Sequence, residues 1–485
     1  MPFLDRLNRW AEERPQEPAV VCGNDLLSWG GLRAAAAALA ASGEPTGILR
    51  RPNGTGFAVR WAAGVAEERV CAVLDPSWPE EVAERVQDHC AARLPVDPAP
   101  ARLRDGDPAS AFLIGLTSGT TALPKGFRRS RGSWRRSFEA SVAHFGLGPE
   151  DRVLAPGPLT SSLNLYALSE CLYAGAAFVT LPGFGVAAAH TAITGHGVTR
   201  LVLVPTMLRV LAERGLAAGV DASGVTAIVC AGQKLDATTL EAARRWAPHA
   251  AIWEYYGAAE LGFVAARRHR PGEPADEPAD EAAEEAAEEF TEMSADLSGT
   301  AVGAPFPGVE VAVLDEDGRP VPEGEVGTIG VRSELVCDGY LWGDDGQAFG
   351  RLGGLATVRD RGVLCDGQLH VLGRASEMIN TGGLNVYPHE VEAALAMVPG
   401  VADVVVAGLP DAARGERIVA GVLTTSGEPD RERLRAGLEH RLAPTKRPQE
   451  YWEFHELPLT ASGKLSRALF RDWILEGDAR VRPLG

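Results

Sequence analysis

The sequence predicts an α/β fold: a large N-terminal lobe of α/β layers with a β-rich subdomain, then a small α+β C-terminal domain. Three observations predict it. Short apolar runs alternate with amphipathic stretches from residue 4 to about residue 246. Beyond residue 300 the apolar runs are separated by Gly- and Asp-rich turns such as Asp317-Gly318. The last hundred or so residues mix both textures. The length of 485 residues leaves room for about three such units.

The elements follow in order. Leu4, Leu7 and Trp10 share one face, so Leu4 to Arg14 reads as an amphipathic helix. Ala19 to Cys22 reads as a short strand, Leu32 to Ala41 as a helix, Val70 to Leu74 as a buried strand and Glu80 to Ala92 as a helix. The alternation continues with strand Ala111 to Leu116, helix Trp134 to Phe145, strand Leu201 to Val204 and helix Thr206 to Arg214. Strand Ala227 to Cys230 and helix Ala237 to Trp246 complete it. Val309 to Leu314, Glu325 to Val331 and Gln368 to Leu372 read as strands of the β-rich part. The terminal part holds helices Pro388 to Ala396 and Arg431 to Arg441, with strands Val401 to Leu409 and Ile418 to Thr424.

Charge and cysteines exclude several functions. The net charge is −18, which argues against a nucleic-acid or anionic-membrane partner, since no basic field holds phosphates. Nine of the acids lie between Pro271 and Glu289 with no base among them, in a Glu/Asp/Ala/Pro tract that reads as a solvated insertion over about 271–296. The seven cysteines are scattered without a Cys-x-x-Cys pair, so neither a zinc ribbon nor a disulfide framework is expected. No apolar run approaches the ~20 residues of a membrane span. The N-terminus carries acids and lacks an apolar core, so it does not read as a signal peptide, and a cytoplasmic location is expected.

The chemistry concentrates in a few segments. Thr117-Ser118-Gly119-Thr120-Thr121-Ala122-Leu123-Pro124-Lys125-Gly126 follows an apolar run and packs hydroxyls, glycines and a lysine together. Backbone N–H groups, hydroxyls and an ammonium in one turn suit a polyphosphate. The spacing is not that of a Walker loop, because the lysine follows Pro124. Gly463-Lys464 also fails that test and, read locally, is a lysine on a Gly-containing turn.

Taken in order along the chain, these segments resemble the adenylate-forming superfamily of acyl-CoA synthetases, luciferases and peptide-synthetase adenylation domains, and are most similar to acyl-CoA ligases. The hydroxyl-rich loop is similar to the family's phosphate-binding signature. Tyr255-Tyr256-Gly257-Ala258-Ala259-Glu260 resembles its Tyr-Gly-x-Thr-Glu motif. Gly303 to Gly308, Gly373-Arg374, Gly382 to Glu390 and Pro458 to Lys464 resemble its later motifs. The resemblance implies residues 1–374 as a large adenylating domain and 375–485 as a small, mobile lid domain. It also implies a two-step reaction. A carboxylate attacks the α-phosphorus of ATP, giving an acyl-adenylate and pyrophosphate; a thiol then displaces AMP.

Residue roles follow from the same resemblance. Thr117, Ser118, Gly119, Thr120, Thr121 and Lys125 would hold phosphates. Glu260 would hold Mg²⁺ as a hard oxygen ligand. Tyr256, Gly257 and Gly232 would frame the adenine, Asp360 the ribose, and Arg374 would lie near ribose and phosphate, although a structural salt bridge explains Arg374 equally well. Lys464 would bridge the α-phosphate and the incoming carboxylate as a mobile point charge. Ser376 falls at the hinge position, and Gly382 and Gly383 at the thiol tunnel. Ser161, Ser162, Cys230, Ala231 and Ala258 fall in the presumed acyl pocket.

The sequence departs from the family at three places. Ala259 replaces a threonine, Ala122 a glycine, and Thr160-Ser161-Ser162 a segment where relatives carry a histidine or, in the amino-acid-activating branch, an aspartate. Without that aspartate a buried substrate ammonium lacks a partner, so a hydrophobic, non-amino acid is expected. Small residues in the pocket segments leave room for a bulky or long one. Coenzyme A is the expected thiol. A carrier-protein phosphopantetheine is the alternative, and a non-catalytic nucleotide or acyl binder is the third reading.

Overall fold

The computed structural model describes the chain except for residues 1–2, 95–99, 118–122, 270–296, 298–299, 345, 347, 375–376, 382–383, 412–413, 425–429, 440, 461–462 and 485. Contacts divide it into two units. The first comprises residues 1–271, 304–312 and 330–358; the second comprises 272–303, 313–329 and 359–485. Segments 313–329 and 359–374 therefore group with the C-terminal part, unlike a boundary drawn at 374/375. The acidic tract lies outside the described residues.

In the first unit the main sheet runs in the order Gly262–His269, Ala251–Ala258, Ala227–Ala231, Arg200–Leu203, Arg152–Leu154, Ala177–Thr180, Pro18–Cys22, Asp25–Ser28. The six strands from Ala251–Ala258 to Pro18–Cys22 are parallel. Strands Ala177–Thr180, Arg200–Leu203 and Ala227–Ala231 are buried along their whole length, which is why they read as apolar runs without alternation. A second sheet has the order Tyr340–Trp342, Lys125–Ser130, Ala111–Thr117, Cys71–Val73, Ile48–Leu49.

Caps set several helix boundaries. Ser28 Oγ accepts from Gly31 N at 3.2 Å, so the helix begins at Trp29 rather than Leu32. Ser130 Oγ accepts from Ser133 N at 3.2 Å, so the next begins at Arg131 rather than Trp134. A capping hydroxyl satisfies a backbone N–H that the first turn would otherwise orphan, and outweighs the weak helix propensity of the glycines behind it.

The second unit holds the hairpin Asp360–Cys365/Gln368–Arg374, flanked by pairings to residues 301–303 and 327–328. It also holds a sheet ordered Leu384–Val386, Ile379–Thr381, Gly415–Thr424, Glu450–Phe454, Val481–Pro483, with Val401–Asp411 paired to Gly415–Thr424. Val404 and Val406 face helices Pro388–Ala396 and Arg431–Leu438, packing with Val391, Leu395, Leu434 and Leu438. Val405, Ala407 and Leu409 face helix Arg467–Glu476, packing with Phe470 and Trp473. Covering both faces removes the polar half of the alternation, so the strand reads Val-Val-Val in sequence.

Candidate functional site

The parallel sheet has one topological switch point. From Arg152–Leu154 the chain moves to Ala177–Thr180 on one side, then crosses to Arg200–Leu203 on the other. Ligands of open α/β sheets bind beyond the carboxyl ends of strands at such a point. Several residues singled out from the sequence leave the sheet at that end. Ser161 follows strand Arg152–Leu154 and caps helix Ser162–Ala174, its Oγ accepting from Asn164 Nδ2 at 2.8 Å. Ser162 is exposed, while Cys230 is fully buried and Ala231 nearly so. Gly232 comes directly after Ala231, which pairs with Tyr255, so Gly232 and Tyr256 sit on neighbouring strand ends. A Cβ at Gly257 would stand 2.3 Å from the carbonyl oxygen of Gly262. Only glycine fits this bulge of the Ala251–Ala258/Gly262–His269 hairpin.

Thr117 and Glu260 meet at a residue the sequence reading did not name. Thr117 Oγ1 lies 2.9 Å from the Tyr340 hydroxyl, which donates to the Glu260 carboxylate. Tyr340 pairs with Phe127 and Trp342 with Gly126, so strand Tyr340–Trp342 lines the strand that begins at Lys125. Trp342 Nε1 donates to Pro124 O at 2.9 Å, and Lys125 is buried at 8% exposure. Burial and the Glu260 carboxylate hold the Tyr340 phenol well above its ordinary value, so it stays a donor. Arg129 donates to the carbonyls of Ala259 and Leu335; burial lowers its pKa, while Cys337 and Glu260 favour the charge. Ala259 thus engages through its main chain. Cys337 N donates to Glu260 O at 2.7 Å and fixes the backbone there.

In the second unit Asp360 and Arg374 are directly opposed across a hairpin, with Nε and Oδ1 3.4 Å apart. Asp360 is 7% exposed. Lys464 is half-buried on a turn in which Lys464 N donates to Thr460 Oγ1 at 3.1 Å and Thr460 N to Lys464 O at 2.7 Å. Gly463 has φ +81, a left-handed conformation that explains the Gly-Lys pair. Glu390 forms an ion pair with Lys446 at 2.5 Å. Ser118, Gly119, Thr120, Thr121, Ala122, Ser376, Gly382 and Gly383 lie outside the described residues.

Sequence reasoning thus missed Tyr340, Arg129 and Trp342. Their signals are weak: Asp338-Gly-Tyr-Leu-Trp342 reads as an ordinary turn and strand, and Arg129 is one of several arginines after Lys125. It also missed Glu254, 1% exposed, whose Oε2 accepts from Lys234 Nζ at 2.8 Å and lies 3.3 Å from His269 Nε2. Leu235 N donates to Oε1 at 2.8 Å. Burial alone would raise this carboxyl, but Lys234 and His269 bring it down to about 2. No cluster of three or more His, Cys, Asp or Glu suited to a metal exists among the described residues. Glu260 is a lone carboxylate, which suits an ion that keeps several waters and takes substrate phosphate oxygens.

Comparison with known proteins gives a consistent result. Residues 59–341 match the family described as AMP-binding enzyme, and residues 390–464 match the AMP-binding enzyme C-terminal domain. The uncharacterized acyl–CoA ligase YhfT of Bacillus subtilis is 31% identical over 393 residues, covering 80% of this chain and 74% of that one. The medium/long-chain-fatty-acid–CoA ligase FadD8 of Mycobacterium tuberculosis is 29% identical over 414 residues, covering 83% and 68%. The crystal structure of ATP-bound MatB from Rhodopseudomonas palustris has the same fold, with a TM-score of 0.79 at 22% identity over 98% of this chain and all of that one.

Proposed function

The chain belongs to the AMP-binding enzyme family, and from that premise we propose its reaction as ATP-dependent activation of a hydrophobic, non-amino carboxylic acid followed by thioester formation with coenzyme A. In the first step a carboxylate oxygen bonds to the α-phosphorus and the bond to pyrophosphate breaks. In the second the thiol sulfur bonds to the acyl carbon, AMP leaves with the electron pair, and the thiol proton goes to solvent. Both reactants of the first step are anions, so catalysis is mostly charge neutralisation and positioning.

The residues of the chain divide this work. Thr117 and Lys125, with Ser118, Gly119, Thr120 and Thr121 between them, hold the outer phosphates. Tyr256, Gly257 and Gly232 flank the adenine, and Asp360 accepts the ribose hydroxyls. Arg374, paired with Asp360, orients that carboxylate. Glu260 is the residue that would hold Mg²⁺, which when bound neutralises phosphate charge. Lys464 supplies the positive charge between the α-phosphate and the carboxylate. Ser376, Gly382 and Gly383 serve the rearrangement and thiol access of the second step.

The observation that supports this reading most is that Thr117 and Glu260 both engage the Tyr340 hydroxyl. The test is pyrophosphate release across a carboxylic-acid panel, with and without coenzyme A, followed by thioester detection. Acid-dependent release is expected, with a roughly 100-fold fall in Lys464→Ala, the scale of losing one charge-stabilising group. An unchanged rate in that variant removes Lys464 from the mechanism. ATP binding without turnover on any acid would instead make this a nucleotide-binding protein. Thioester formed only on a carrier protein would replace coenzyme A as acceptor.

A further inference from the structure

Helix Ser162–Ala174 packs on helix Arg131–Phe145, and between them and the main sheet of the first unit lies a small cavity of about 30 Å³, with room for a small polar group rather than for a whole acyl chain. Its walls are mainly apolar, including Leu163, Val202, Val229 and Phe263, with Tyr255 alongside. Leu163 belongs to the helix capped by Ser161, Val229 immediately precedes Cys230, and Tyr255 precedes Tyr256. Two of the presumed acyl-pocket segments therefore have a neighbour in this cavity, although Ser161, Ser162, Cys230, Ala231 and Ala258 themselves do not line it.

One part of the lining is polar. Glu170 and Tyr166 are enclosed by protein yet keep part of their surface open to the cavity. Ser141 Oγ donates to Glu170 Oε1 and lies 3.0 Å from the Tyr166 hydroxyl; Ser137 Oγ lies 2.7 Å from the same hydroxyl. Arg200, which also lines the cavity, is engaged elsewhere, 2.9 Å from Asp151 and donating to Phe145 O at 2.8 Å. Burial raises the Glu170 carboxyl to about 7, against the opposing effects of Ser141 and Arg200. A carboxyl near half-protonation can both accept and donate hydrogen bonds without needing a cation. Ser141 occupies only one of its oxygens. A purely apolar ligand would cover the other oxygen without replacing its water, which is costly.

We propose that Glu170, with Ser141 and Tyr166 behind it, binds a hydroxyl on the part of the substrate remote from its carboxylate, so that the preferred acid is apolar along its length and hydroxylated toward its far end. This rests on the proposed acid activation. A hydroxyl matches the site better than an ammonium, because Arg200 already supplies a cation nearby.

The test uses matched acids that differ only in the far hydroxyl, such as 3-phenylpropanoate and 3-(4-hydroxyphenyl)propanoate, or an alkanoate and its ω-hydroxy form. Two readouts are taken on the full chain: acid-dependent pyrophosphate release, and direct binding by calorimetry. The wild type is expected to favour the hydroxylated member of at least one pair by about tenfold or more in kcat/KM and in Kd. Glu170→Leu is expected to abolish or invert that ratio, and Glu170→Gln, which keeps an acceptor and a donor, to retain most of it. Melting temperatures of both variants report folding, and a Leu variant that fails to fold leaves the decision to the wild-type ratio and the Gln variant. Equal preference in the wild type, or a ratio unchanged by Glu170→Leu, overturns the assignment. Pyrophosphate release on acids without the hydroxyl preference sinks this inference and leaves acid activation standing. Binding preference without pyrophosphate release does the reverse.

Discussion

Glu254 and Glu170 both lie deep in the first unit, and the protein treats their charges in opposite ways. Glu254 has an ammonium, an imidazole and a backbone N–H on its two oxygens, and its carboxyl is brought down to about 2. Glu170 has one serine hydroxyl, and its carboxyl rises to about 7. Depth alone therefore does not decide whether an acid is ionised; the partners do. One carboxylate is used as a structural anion tying strand Ala251–Ala258 to Lys234 and to strand Gly262–His269. The other stays exchangeable at the wall of a cavity.

The largest expected effect comes from Glu254→Gln, which leaves the Lys234 ammonium without its counter-charge and gives the neutral His269 imidazole an amide in place of the carboxylate. Removing one partner of a buried pair costs about 3–5 kcal/mol, and Lys234 can partly recover water, so about 3 kcal/mol is expected in urea denaturation at pH 7. Because the folded-state value lies below the ordinary 4.5, this stabilisation is present above pH 4.5 and is lost as pH falls toward 2. A difference between wild type and variant that is the same at pH 3 and pH 7 would mean the cluster is not charged.

Glu170→Gln should behave in the contrary sense. The unfolded chain ionises this acid near 4.5, while the folded chain keeps its proton until about 7. Wild-type stability should therefore fall as pH rises from 4.5 to 7, by up to about 3 kcal/mol, and level off above. The Gln variant should lack that fall, and parallel stability–pH curves would remove the contrast with Glu254. The smallest effect is expected from Tyr340→Phe. It probes a third carboxylate, Glu260, which has a phenol donor and the buried Arg129 nearby. Losing that donor should lower stability by about 1 kcal/mol, and acid-dependent pyrophosphate release should fall with it. No change in either would mean Tyr340 does not hold Glu260 in place.

What could be read from the sequence follows the same division between local and distant causes. Helix Ala237–Trp246, capped by Asp236, and helix Pro388–Ala396, with proline at its first position, matched their expected bounds because start signal and periodicity are written in neighbouring residues. Helix Ser162–Ala174 was not expected as a helix; only Ser161 and Ser162 at its start were singled out, as presumed acyl-pocket residues. Most of its residues are buried around the whole circumference, so no polar face marks the period. The candidate segments Thr117 to Gly126 and Gly463-Lys464 stand out because glycine, hydroxyl and lysine cluster within a few positions. Tyr340, Arg129 and the Glu170 cavity were not, because each acquires its role from strands or helices remote in sequence.

That remoteness bears on how the protein is made. Tyr340 stands 223 positions after Thr117, and its strand completes the sheet to which the flanks of the hydroxyl-rich loop belong. At a translation rate of about 5–20 residues per second, the ribosome needs roughly 10–45 s to add that stretch. Through that interval the nascent chain carries an exposed edge at Lys125–Ser130, a place where a neighbouring nascent strand can pair wrongly or a chaperone can hold on.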